Sequence, residues 1–232
     1  MSKITAAILT SALLVVLATL AKPVSPSVAF DGCSCTAPDS SCSVTIPDCN
    51  GKCQKYCGSN GDCWGECSGF YSVLALETNI ELPYGDYSLL TSLLAQTAGK
   101  NISFTRSESD PGRSDMLFNV GFKKAPLWDA LQFLADRGTV RIGGRDFESI
   151  RRLRKVLLSG ERLNFGVKNT PVDTLVADLV GITGLPLRVA GGNPMTVANV
   201  ELPEATLDEI IAAVEKETGT RIVDRSRDPT TR

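Results

Sequence analysis

Residues 163–223 read LNFGVKNTPVDTLVADLVGITGLPLRVAGGNPMTVANVELPEATLDEIIAAVEKETGTRIV, and the periods within this stretch decide the fold. Residues 163–167 alternate apolar with other side chains, as a strand with one buried face does. Thr170, Pro171 and Asp173 then predict a helix start, with Thr170 as cap, Pro171 at the first helical position and Asp173 closing a capping box. Val172, Leu175, Val176 and Leu179 fall on one helical face, and Gly184 supplies a left-handed stop. Residues 185–189 form the next strand, Gly191-Gly192-Asn193-Pro194 a turn, and 196–202 a third strand. Thr206, with Glu209 three residues on, caps a second helix carrying Leu207, Ile210, Ile211 and Val214 on one face. Gly219 ends that helix, and 221–223 make a last strand.

The preceding stretch repeats this order. Residues 79–82 predict a strand, Asp86 caps a helix bearing Tyr87, Leu90 and Leu94, and Gly99 ends it. Residues 101–105 and 116–122 are strands separated by a longer polar turn over 107–114. Pro126 opens a second helix with Leu127, Ala130, Leu131 and Leu134 on one face; Gly138 ends it, and 139–142 form the last strand. Leu90, Leu94 and Gly99 align with Leu175, Leu179 and Gly184 at an offset of 85, and Leu127 and Leu134 with Leu207 and Val214 at an offset of 80. The turn between the middle strands absorbs the difference. The fold class is α+β, with two tandem small β-α-β-β-α-β modules at 74–144 and 162–225. A disulfide-rich segment at 30–73 precedes them, a linker helix at 145–161 joins them, and a tail covers 226–232.

The 232 residues hold 24 Lys and Arg against 26 Asp and Glu, a net charge of −2, which argues against a nucleic-acid partner needing a basic face. The sequence contains no histidine, which excludes a Ser-His-Asp triad, a Cys-His nucleophile and histidine metal ligands. Neither a Gly-rich phosphate loop nor a nucleophile elbow is present. We therefore expect a protein that is not an enzyme and needs neither cofactor nor metal.

Lys3 precedes an uncharged run over 4–21, and Ser27-Val28-Ala29 offers a small-x-small cleavage site. This predicts a signal peptide over 1–29 and a periplasmic or secreted protein. The alternative is a chain anchored by residues 4–21, a run of 18 residues that just spans a bilayer. Membrane contact is expected only in that case. Asp31, two residues before Cys33, argues against a lipobox. All eight cysteines lie behind this signal: Cys33, Cys35, Cys42, Cys49, Cys53, Cys57, Cys63 and Cys67. An even, clustered set in an exported chain reads as a disulfide framework, and the Cys-x-x-Cys spacing of a zinc ribbon is absent. Cys33 and Cys35 suit one face of a strand. Cys49, Cys53 and Cys57, and likewise Cys63 and Cys67, are four apart and suit one face of a helix. Tyr56 and Trp64 are expected to form the small core of this segment.

The duplicated pattern resembles the short N-terminal module of secretins and TonB-dependent signal transducers. Residues 163–224 carry the best match, particularly Asn169 to Leu175 and Ala205 to Ile211; 74–144 match less well. The resemblance implies a periplasmic protein–protein interaction module accessory to an envelope assembly. The implied partner is a secretin, a pilus or secretion component, or an anti-sigma factor. These 232 residues hold no pore or barrel segment after the modules, so the resemblance is not expected to carry pore formation, and the family has no catalytic residues to transfer. The alternative reading is a secreted disulfide-knot binder or inhibitor with the repeats as scaffold.

Candidate partner-binding residues lie in and beside the linker. Phe147, Ile150, Leu153 and Leu157 make an apolar stripe stopped by Gly160, while Arg151, Arg152, Arg154 and Lys155 make the opposite face basic. That face suits an acidic partner surface or anionic lipid headgroups, or is simply the solvated face of a linker helix packed on a module. Trp128 stands where the other repeat has Asp208, and is either packed on the linker or an exposed anchor.

Overall fold

The structure, a computed structural model, describes residues 33–36, 43–46, 49, 51–58, 61–107 and 116–227. The signal peptide expected over 1–29, Cys42, most of the 107–114 turn and the last five residues of the tail lie outside the described residues. So do the side chains of Cys33 and Cys35.

The chain begins with strands β1 (Cys33–Thr36), β2 (Ser43–Ile46), β3 (Cys53–Gly58) and β4 (Cys63–Cys67), then a 3-10 helix, Tyr71–Ala75. The first repeat follows as β5 (Glu77–Asp86), α1 (Tyr87–Ala98), β6 (Ile102–Arg106), β7 (Met116–Pro126), α2 (Leu127–Ala135) and β8 (Gly138–Ile142). The short strand β9 (Arg145–Asp146) and helix α3 (Phe147–Ser159) connect it to the second repeat. That repeat runs β10 (Leu163–Pro171), α4 (Val172–Thr183), β11 (Leu187–Gly191), β12 (Val197–Ala205), α5 (Leu207–Thr218) and β13 (Arg221–Asp224). The class is α+β.

Both repeats pair their strands by one rule: first with third and second with fourth, always antiparallel. These pairs are β5 with β7 and β6 with β8, then β10 with β12 and β11 with β13. The helix ends repeat as well. Gly99 and Gly184, 85 apart, both close their first helix in the left-handed conformation. The match extends to an irregularity that periodicity does not reveal. Lys124 and Glu204, 80 apart, both have positive φ, at 51° and 48°. Each donates its backbone N–H to an asparagine on the first strand, Asn79 and Asn164, which are 85 apart (both bonds 3.0 Å). A bulge and the side chain that holds it are thus duplicated together.

Three local expectations are corrected. The cysteines of β3 and β4 lie on strands, not on a helix. A spacing of four is an even number and keeps side chains on one face of a strand as well as of a helix, so it does not separate the two. Thr170 is not a helix cap: it is fully buried, and β10 continues through it to Pro171, the N-cap of α4. Its hydroxyl donates to Lys168 O and meets Ser68 Oγ instead. Gly138 does not stop α2, which ends at Ala135; it opens β8, where a Cβ would overlap the Thr105 carbonyl oxygen of β6.

The cysteine-bearing hairpin is built into the second repeat. One four-stranded sheet runs in the order β12-β10-β3-β4, with Leu163 to Lys168 of β10 paired antiparallel to Gly58 to Cys53 of β3. Tyr56 and Trp64 are buried as expected, but in a shared core: the Tyr56 ring meets Phe165 at 5.4 Å and Tyr71 at 6.4 Å. Trp64 donates its indole N–H to Ser149 O of α3 at 2.8 Å. A single apolar core runs from Tyr56 through both repeats to Ile222. The described residues cluster as one unit.

Candidate functional site

A small disulfide-bearing hairpin has little apolar area of its own, so cross-links and neighbouring elements must order it. Cys49 and Cys67 are bonded, with Cα atoms 5.1 Å apart. Cys53, Cys57 and Cys63 are also in disulfides, and no cysteine is free among the described residues. Such bonds persist outside the reducing cytosol. No described helix is long and apolar enough to cross a membrane.

Asp178, on α4, organises the junction between hairpin, 3-10 helix and second repeat. Its carboxylate accepts from Gly69 N at 2.6 Å, Ser72 N at 2.7 Å and Gln54 Nε2 at 2.5 Å. Gln54 Oε1 in turn accepts from the Tyr56 hydroxyl at 2.7 Å. Gln54, Tyr56 and Asp178 are all fully buried. The two backbone donors lie at the start of the 3-10 helix, so a side chain from a distant helix caps it. α4 comes close enough to do this because it carries glycine at 181, where a Cβ would overlap the Tyr71 carbonyl oxygen. Burial pushes the Asp178 carboxyl up to about 6, against the hydrogen bonds that favour its ionised form.

Beside this junction, Glu66, Ser68, Gly69, Phe70, Lys100, Gly143, Gly144 and Arg145 line a cleft of about 520 Å3. Glu66 is buried and ion-paired with Arg145. Burial raises its carboxyl above the usual range and outweighs the Arg145 guanidinium. The Lys100 ammonium lies 5.5 Å from the centre of the Phe70 ring. One carboxylate between two cations can hold a polar or anionic group, but it presents no nucleophile and base within reach of each other.

The basic residues of α3 do not form one free patch. Arg151 pairs with Glu148 at 2.8 Å, and Arg152 with Asp62 of the hairpin turn at 3.3 Å. The Arg154 guanidinium lies 4.3 Å from the centre of the Trp128 ring. Lys155 is exposed. Trp128 itself is buried, its ring 4.9 Å from Phe147 at the head of α3. These side chains fasten α3 to the first repeat and to the hairpin.

Sequence reading missed two features. Asp178 sits at the margin of the α4 apolar arc, one residue before Leu179, and a lone charge beside a buried stripe was the available signal. The other is an exposed aromatic pair on the first repeat, Tyr84 of β5 and Phe118 of β7, each 62% exposed with ring centres 5.4 Å apart. The equivalent positions of the second repeat hold Asn169 and Ala198, so the pair belongs to the first alone. Comparison with protein-family models, curated proteins and solved structures finds no match to this chain.

Proposed function

We propose that this chain is an extracytoplasmic protein–protein interaction module, accessory to an envelope assembly of secretin or TonB-signalling type. The observation that carries the reading is the duplicated β-α-β-β-α-β unit, with the same strand pairing in both copies, on a disulfide-bonded chain. Two linked units gain avidity when both engage a partner. The buried carboxylates support a non-catalytic role, since Asp178 is committed to a cap and Glu66 to an ion pair.

The partner class is a secretin, a pilus or secretion component, or an anti-sigma factor. Affinity capture with the full, oxidised chain as bait, against purified periplasmic domains of those three classes, tests it. Saturable binding to one class is expected, and binding to none contradicts the proposal. The alternative, an autonomous disulfide-knot binder, has less support because β3 is an interior strand of the sheet that β10 and β12 complete. On that alternative, residues 30–73 alone would keep full binding.

A further inference from the structure

The two repeats differ along one edge. In the second, β10 has β12 on one side and β3 on the other. In the first, among the described residues, β5 pairs with β7 alone. The offset of 85 carries the segment of β10 that β3 covers, residues 163–168, onto residues 78–83 of β5. The molecule therefore shows, in its own second half, what this edge accepts when filled. We propose that residues 78–83 of β5 are a docking site for an extended strand of a partner protein, running antiparallel to β5, with a basic residue beside Glu81 and an apolar or aromatic residue beside Ile80.

The chemistry of the occupant follows from the filled edge. Opposite β10, Tyr56 lies beside Phe165 and Lys55 beside Gly166. Tyr56 turns into the core, while Lys55 crosses the strand to pair with Glu201 of β12 at 2.6 Å. The first repeat keeps this outward carboxylate but moves it one strand closer. Glu81 stands where Gly166 stands, and Gly121 where Glu201 stands. A lysine or arginine on the incoming strand would then be a direct cross-strand neighbour of Glu81, with Glu77 on the same outward face. Inward, Thr78, Ile80 and Leu82 continue the alternation with buried side chains. Pro83, which has no N–H, limits the ladder at that end. Tyr84 and Phe118 extend the outward face with exposed aromatic area of the kind that anchors partners. A second copy of β5 is disfavoured as occupant, because it would bring its own Glu77 and Glu81 against the same two carboxylates.

This inference deepens the interaction-module reading, and its test needs none of the envelope partners. The probe is a synthetic peptide of residues 51–59 with serine at both cysteine positions, added to the oxidised, isotope-labelled chain. Chemical-shift changes and slowed amide exchange are expected at 78–82. Of the two peptide lysines, replacing the one that would face Glu81 (Lys55→Glu) should weaken binding about fivefold or more, and Glu81→Lys in the protein should restore it for that peptide. Changes absent from 78–82 at millimolar peptide, changes at 163–168 instead, or an affinity indifferent to the charge swap would each overturn the inference. Such a result with capture of an envelope partner intact removes only the edge. Binding at the edge without capture of any of the three partner classes removes only the envelope role.

Discussion

The carboxylate of Asp178 sets two effects against each other. Hydrogen bonds from Gly69, Ser72 and Gln54 favour the charge, while burial opposes it and prevails, raising the carboxyl from 3.8 to about 6. The folded state then binds this proton more tightly than the unfolded chain. The contribution of Asp178 to stability is therefore greatest below about pH 4, falls as pH rises towards 6, and is flat above about 7. The total loss is on the order of 3 kcal/mol. Glu66 acts with the same sign, since its carboxyl is also raised. Asp178→Asn cannot ionise and turns an amide donor towards groups that already donate. Urea unfolding should show it less stable by about 2–4 kcal/mol near pH 4, with the deficit shrinking towards pH 7; a deficit that grows with pH contradicts this assignment. The duplicated Asn79 and Asn164 are a second residue-scale test. Asn164→Ala leaves the Glu204 N–H without its acceptor at a positive φ, and should cost about 1 kcal/mol in thermal or urea unfolding. Asp178 shows in the sequence only as a lone charge beside the apolar stripe of α4, and the asparagines do not show at all. Periodicity registers apolar side chains, and both devices depend on polar atoms meeting backbone from far along the chain.

Among the elements, legibility followed locality. Helix α5 was readable in full because its cap, its apolar face and its glycine stop are neighbours in sequence. Thr206 accepts from Glu209 N while the Glu209 carboxylate accepts from Thr206 N, completing the capping box. Thr206→Ala should lower stability by about 1 kcal/mol. Helix α4 was readable in extent but not at its start, where tertiary packing takes Thr170 into the core and extends β10 to Pro171. The hairpin was the least legible element. Its cysteine spacing is equally compatible with helix and strand, and what decides is pairing with β10, about a hundred residues away in sequence. The close approach of α4 to the 3-10 helix gives this level its sharpest mutation. Gly181→Ala should force the two apart, with a loss of several kcal/mol and weakened protection of the Gly69 and Ser72 amides in hydrogen exchange. Retention of wild-type stability would contradict the packing described.

For the whole molecule, the sequence pattern revealed the duplication but not its asymmetry. Offsets of 85 and 80 identify equivalent elements; they do not say that a disulfide-bearing hairpin fills the edge of one copy and leaves the other without a described partner strand. That asymmetry depends on where the hairpin docks, a non-local contact that no spacing encodes. It also makes the cross-links matter beyond the hairpin. Reduction should loosen β3 and β4, uncover β10 and destabilise the second repeat before the first, as residue-resolved exchange or limited proteolysis would show. The most direct measurement of the central claim is amide exchange of the free, oxidised chain, comparing β10 with β5. The account predicts continuous protection along 163–167, where β10 is bonded on both sides, and alternating protection along 78–82, with the amides that face away from β7 exchanging fast. Equal, unbroken protection of the two strands would contradict it.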